Sequence, residues 1–196
     1  MPITRCVAFA VALLTAVVAA TQAPSGGRTL AAHDFATSSE GWRVSTDTGA
    51  ADPDFHAAGG HPGGYIAYVD EAVGETWYFR APDSFLKLLS SAGNGTLAYS
   101  LKQSEDGPGF LDDDVIIHGP AGRLSFRTGK TPGKAWADFT VPLTASAGWR
   151  WNWNRTATPE QMRSVLANVT SLEIRGEFHT GPDEGGLDNV VLKAGG

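Results

Sequence analysis

Ser171-Leu172-Glu173-Ile174-Arg175-Gly176-Glu177-Phe178 alternates apolar and charged side chains. Successive side chains of a strand point to opposite faces, so Leu172, Ile174 and Phe178 share one face. Glu173, Arg175 and Glu177 share the other. Upstream, Leu97, Tyr99 and Leu101 oppose Ala98, Ser100 and Lys102, and Val115 and Ile117 oppose Ile116 and His118. An apolar face backed by a mixed one is the pattern of antiparallel sheets with one solvated side. Further strand-like runs are Ala31–Ala36, Gly41–Ser45, Tyr65–Asp70, Trp77–Arg80, Arg123–Thr128, Trp136–Pro142 and Leu187–Lys193. Gly, Pro, Asp and Asn clusters separate them, and 24 Gly and 11 Pro suit many turns. With 42% hydrophobic and 18% charged residues, the chain can bury a core and does not read as disordered. The expectation is all-β: an antiparallel β-sandwich.

One segment breaks the pattern. Thr158-Pro159-Glu160-Gln161 offers an N-cap Thr, a Pro at the first helical position and a Gln at the third. Met162, Val165, Leu166 and Val169 follow at helical spacing, which predicts one short covering helix over 158–169. Asp83–Leu89 is a candidate for a short second helical turn.

The N-terminus reads differently. Arg5 precedes Val7–Ala20, an uncharged apolar run of about 14 residues, short of the roughly 20 that span a membrane. Residues 1–23 therefore predict a secretory signal peptide, residues 24–30 a flexible lead-in, and residues 31–193 a single β-sandwich domain. The expected location is secreted and extracellular, or periplasmic in a bacterium, with no membrane insertion after cleavage. Cys6, the sole cysteine, would leave with the signal, so thiolate metal sites and a cysteine nucleophile are excluded. Net charge of −6 would become about −7, which disfavours nucleic acid and anionic lipid as partners, and no Lys/Arg cluster stands out in the sequence.

The ordered motifs resemble the laminin IV type A (laminin B) family. They are Asp34-Phe35 with Glu40-Gly41-Trp42, the run Gly59–Ile66, Glu75-Thr76-Trp77-Tyr78-Phe79 with Ala81-Pro82, and Leu97–Leu101. They continue through Asp114–Ile117, Gly148-Trp149, Met162–Asn168, Thr170–Phe178 and Gly185-Gly186-Leu187-Asp188-Asn189-Val190. The resemblance covers about Ala32–Leu192. It implies a jelly-roll sandwich of the galactose-binding, carbohydrate-binding-module kind, without assigned catalytic residues.

Aromatic faces that can stack on sugars mark the candidate binding residues: Trp77, Trp149, Trp151 and Trp153. The last three form a period-2 stripe, read either as an exposed platform or as core edge. Arg175 and Glu177 add polar groups from the mixed sheet face. One structural Ca²⁺ is considered at Asp34 and Asp188, near the two ends of the fold, because terminal strands often pair in this architecture. The alternative for Asp188 is a turn cap. No nucleophile elbow, zinc spacing or compelling carboxylate pair occurs, so a non-catalytic module that recognises a polysaccharide or matrix component is expected. The alternatives are a protein-interaction domain without a sugar site and a small jelly-roll hydrolase or lyase.

Overall fold

In the computed structural model, which describes residues 27–70 and 74–196, the period-2 runs become strands. The expected signal peptide lies outside the described residues. In chain order the strands are β1 (Thr29–His33), β2 (Arg43–Thr46), β3 (Gly49–Ala51), β4 (Asp54–His56), β5 (Tyr65–Asp70), β6 (Tyr78–Arg80) and β7 (Thr96–Gln103). They continue as β8 (Val115–Gly119), β9 (Gly122–Phe126), β10 (Ala137–Pro142), β11 (Arg150–Trp151), β12 (Arg155–Thr156), β13 (Ser171–Arg175) and β14 (Asp183–Lys193). Two α-helices, α1 (Asp83–Leu86) and α2 (Pro159–Leu166), interrupt them. One sheet runs β10-β7-β14-β5-β4, with β1 also on β14; the other runs β12-β11-β9-β8-β13-β6-β2-β3. The sheets form a sandwich, and first and last strands pair antiparallel, His33 facing Val190.

The inward set matches the alternation. Leu97, Tyr99 and Leu101 of β7, Val115 and Ile117 of β8, and Leu172 and Ile174 of β13 are all buried. Phe139 of β10 faces Tyr99 across the sheet, and their rings stack 5.3 Å apart. Each fully buried side chain of this size contributes roughly 1.5–3 kcal/mol. Trp77 takes its core position because Gly176 and Gly185 leave room for its indole; a Cβ at Gly176 would stand 1.9 Å from Trp77 Cζ3.

The predicted capping box forms: Thr158 Oγ1 accepts from the Gln161 N–H at 3.3 Å, and Gln161 Oε1 accepts from the Thr158 N–H at 2.9 Å. Helix α2 buries Met162, Val165 and Leu166 over β8 and β9. It stops before Val169, because the Thr170 N–H donates to the His118 carbonyl and draws the chain back to the sheet. Four strands were not anticipated. β3 and β4 carry little apolar periodicity, whereas β11 and β12 come from the segment expected to stay extended. That segment turns instead at Asn152 and Trp153, whose φ values are +43° and +74°.

Candidate functional site

The hairpin dissolves the expected tryptophan stripe. Trp149 is fully buried and donates Nε1–H to the Pro142 carbonyl at 2.7 Å. Trp151 is half-buried against the core, and Trp153 alone swings out, 64% exposed. Trp77 is fully buried as well, with Nε1–H directed at Asp183 Oδ1 at 3.4 Å. Trp77 and Trp149 are therefore core residues: Gly176 and Gly185 make room for the Trp77 indole, and Trp149 packs on the Phe126 ring at 5.2 Å.

Arg175 and Glu177 are also buried, contrary to the solvated face expected for them. The loop before β8 covers that end of the eight-stranded sheet. The Arg175 guanidinium lies between the Phe110 and Phe178 rings, 4.4 and 4.3 Å from their centroids. It donates to the Phe110 carbonyl at 2.8 Å, the Glu177 carbonyl at 2.6 Å and Asp114 Oδ1 at 3.3 Å. Arg175 thus clamps this loop to β13. Glu177 Oε2 accepts from the Trp77 N–H at 3.2 Å. Burial, then the Asp183 and Asp70 charges, push the Glu177 carboxyl up to about 7 despite that hydrogen bond and Arg175. Burial raises Asp183 too. A pocket of about 240 Å³ opens beside Glu177.

Burial raises the Asp188 carboxyl, and the Asp34 charge adds a smaller push in the same direction, against hydrogen bonds from the His61 and Asn189 backbone that lower it. The Asp188 carboxylate accepts from the His61 N–H at 2.5 Å and the Asn189 N–H at 2.6 Å. That is a turn-capping role, made possible by the bulge in β14 between Asp188 and Val191 and by Asn189 at φ +52°. The two carboxylates are a small part of the six to eight oxygens calcium takes. Among the described residues no group of three or more His, Cys, Asp or Glu is placed to hold a metal.

By holding His61, Asp188 folds the Gly59–Gly64 turn over the outer face of the six-stranded sheet. There the structure assembles a cluster that the sequence did not single out. Tyr65 of β5 stacks on His56 of β4, centroids 4.5 Å apart and planes 10° from parallel. Trp136, just before β10, meets Tyr65 edge-on at 5.4 Å and lies near-parallel to His61 at 6.3 Å. Its Nε1–H donates to the Gly59 carbonyl at 3.0 Å, which fixes the indole plane. Lys102 Nζ sits 3.9 Å from the Tyr65 centroid and 5.1 Å from that of Trp136. Gly186 faces Lys102 across the sheet and makes this possible: a Cβ there would stand 2.8 Å from Lys102 Cε. Asp138 Oδ1, bonded to Ser100 Oγ at 2.7 Å and 3.7 Å from His61 Nε2, supplies an exposed acceptor at the rim. Tyr65 itself is buried and serves as the support, so the half-buried Trp136 indole, flanked by an ammonium, a carboxylate and an imidazole, is the plane that can stack on a pyranose C–H patch while those groups orient hydroxyls.

A second concavity, about 630 Å³, opens between α2 and the turns around Leu89 and Ala145. Its lining is mainly apolar and holds no carboxylate or histidine.

The laminin B (domain IV) family's sequence pattern matches residues 78–196. The L4b domain of human laminin alpha-2 is 14% identical with a TM-score of 0.64, over 85% of this chain and 97% of that one. The CBM22-1 xylan-binding domain of Paenibacillus barcinonensis Xyn10C is 11% identical with a TM-score of 0.51, over 89% of this chain and 99% of that one. The module CtCBM11 is 17% identical with a TM-score of 0.50, over 87% and 97%. At these identities the structural likenesses establish the jelly-roll fold alone. No curated protein sequence matches the chain.

Proposed function

The chain belongs to the laminin B (domain IV) family, and from that membership and the geometry above we propose that it is a non-catalytic extracellular module that binds a polysaccharide along the outer face of its six-stranded sheet. The carrying observation is the fixed Tyr65–Trp136–Lys102 cluster with its His56, His61 and Asp138 rim. The solved neighbours described as xylan-binding or carbohydrate-binding modules support a sugar ligand for this fold. Affinity electrophoresis of the mature protein in gels containing xylan, mixed-linkage glucan or other neutral polysaccharides tests it. Retardation that Trp136→Ala abolishes supports the reading; no retardation by any neutral polysaccharide overturns it.

A hydrolase reading would rest on Glu177, whose raised pKa suits an acid–base group. Its carboxylate is instead engaged by the Trp77 backbone, and we assign it to the fold. Release of reducing ends or unsaturated sugars from the same panel would reverse that assignment. Asp34 and Asp188 stand as our proposed pair for a structural Ca²⁺, with Asp188 also capping the His61 turn.

A further inference from the structure

The eight-stranded sheet carries a second feature on its own outer face. Arg123 and Arg127, on β9 and just beyond it, share that face by strand parity, and β11 pairs with β9 so that Arg150 lies opposite Ser125. All three guanidiniums converge on one carboxylate. Arg123 Nη2 donates to Asp113 Oδ2 at 2.9 Å, Arg127 Nε donates to Asp113 Oδ1 at 3.0 Å, and Arg150 Nη2 also donates to Oδ1. Burial alone would raise the Asp113 carboxyl, but the Arg123 and Arg127 hydrogen bonds hold it below its usual range. Three guanidiniums thus face the single Asp113 carboxylate, with Asp114 paired to Arg175 and Asp112 bonded to Thr76, in a protein whose total is −6. Among the described residues these arginines make no other ion pair.

The β11–β12 hairpin adds a flat apolar surface. The Asn152 N–H donates to the Arg123 carbonyl at 2.8 Å, and Asn152 Oδ1 accepts from the Arg123 N–H at 2.9 Å. This pair of hydrogen bonds to β9 holds the tip, where Trp153 sits in the left-handed region and places its ring 5.6 Å from the Arg123 guanidinium. A solvent-facing tryptophan held at φ +74° costs the fold backbone strain and contributes no core packing. Two buried donors of the same corner, Arg123 Nη1 and Trp151 Nε1, have no hydrogen-bond partner among the described residues.

We propose that Trp153, Arg123, Arg127 and Arg150 form a second saccharide site, selective for acidic polysaccharides whose sugars carry carboxylates. The indole face takes the C–H side of a ring, and the planar guanidinium forks match carboxylate geometry. The site is separate from the Tyr65–Trp136 cluster, on the opposite sheet, and does not depend on it.

The test is affinity electrophoresis and calorimetry at low salt with polygalacturonate, dextran sulfate, neutral dextran and single-stranded DNA. Polygalacturonate binds, neutral dextran does not, and binding weakens as salt rises. Trp153 is exposed, so Trp153→Ala leaves the melting temperature unchanged while weakening binding about tenfold. Arg127→Gln and Arg150→Gln weaken it as well, and Arg127→Lys restores charge but only part of the affinity. Trp136→Ala leaves it unchanged, so either site can fail without the other. Polygalacturonate binds more tightly than dextran sulfate; equal or tighter binding of dextran sulfate overturns the carboxylate selectivity. Absence of polygalacturonate binding, tighter binding of single-stranded DNA, or indifference to Trp153→Ala overturns the proposal.

Discussion

Replacing Glu177 by Gln should make the protein more stable at pH 8 and leave it almost unchanged at pH 4. The folded protein holds the Glu177 proton up to about pH 7, against an ordinary value of 4.5. Burial causes most of that rise, and the Asp183 and Asp70 charges add to it. A carboxyl whose folded pKa is raised favours the folded state while protonated in it. Its penalty is absent below about pH 4.5, grows from there to about 7 and levels off above. At about 1.36 kcal/mol per pH unit, the gap between 4.5 and about 7 caps the penalty near 3 kcal/mol. Water in the adjoining pocket screens part of it, so roughly 1–3 kcal/mol is expected. Gln has nearly the same shape and can still accept the Trp77 N–H through Oε1, so packing is preserved. The assay is urea unfolding followed by tryptophan fluorescence at pH 4 and pH 8, with EDTA present. A gain confined to pH 8 is the expected outcome. Equal effects at both pH values, or a loss at pH 8, would refute the assignment of Glu177 as a buried, proton-holding carboxyl.

Three further outcomes follow from other parts of the fold. Arg175→Met should cost about 3–5 kcal/mol in urea unfolding, because it removes the clamp and leaves Asp114 without its buried cation; Arg175→Lys should recover little of this. Thr158→Ala should cost about 1 kcal/mol by removing half of the α2 capping box, seen as a lower urea midpoint at unchanged slope. If Asp34 and Asp188 hold Ca²⁺, EDTA lowers the melting temperature and added Ca²⁺ restores it; no shift leaves Asp188 as a turn cap alone.

Strand parity was legible wherever a strand keeps one apolar face, as in β7, β8 and β13, because burial enforces period two locally. The capping box of α2 was legible for the same reason: its partners are three residues apart. What depends on distant pairing was not. Parity correctly set Arg175 and Glu177 opposite Leu172, but it could not show that Phe110 and its loop would cover them. Of the two readings of the tryptophan stripe, Trp149 and Trp151 take the core-edge one, and Trp153 leaves it because Asn152 and Trp153 take positive φ and turn the segment back on itself. The sequence shows no basic run, yet the β9–β11 register gathers Arg123, Arg127 and Arg150 around Asp113. Tyr65 and Trp136 meet only because β14 lies between β5 and β7, and β10 pairs beyond β7. Asp188 was legible as a turn cap, but not that the turn it holds is the distant Gly59–Gly64 segment, which frames Trp136.

The central claim is that the outer face of the six-stranded sheet binds a neutral polysaccharide through Trp136 and Lys102. Affinity electrophoresis of wild type beside Trp136→Ala, with Trp153→Ala as the control on the opposite sheet, tests it most directly. The account predicts that a neutral polysaccharide retards wild type and Trp153→Ala alike and leaves Trp136→Ala unretarded. Equal retardation of all three, or of none, would contradict it.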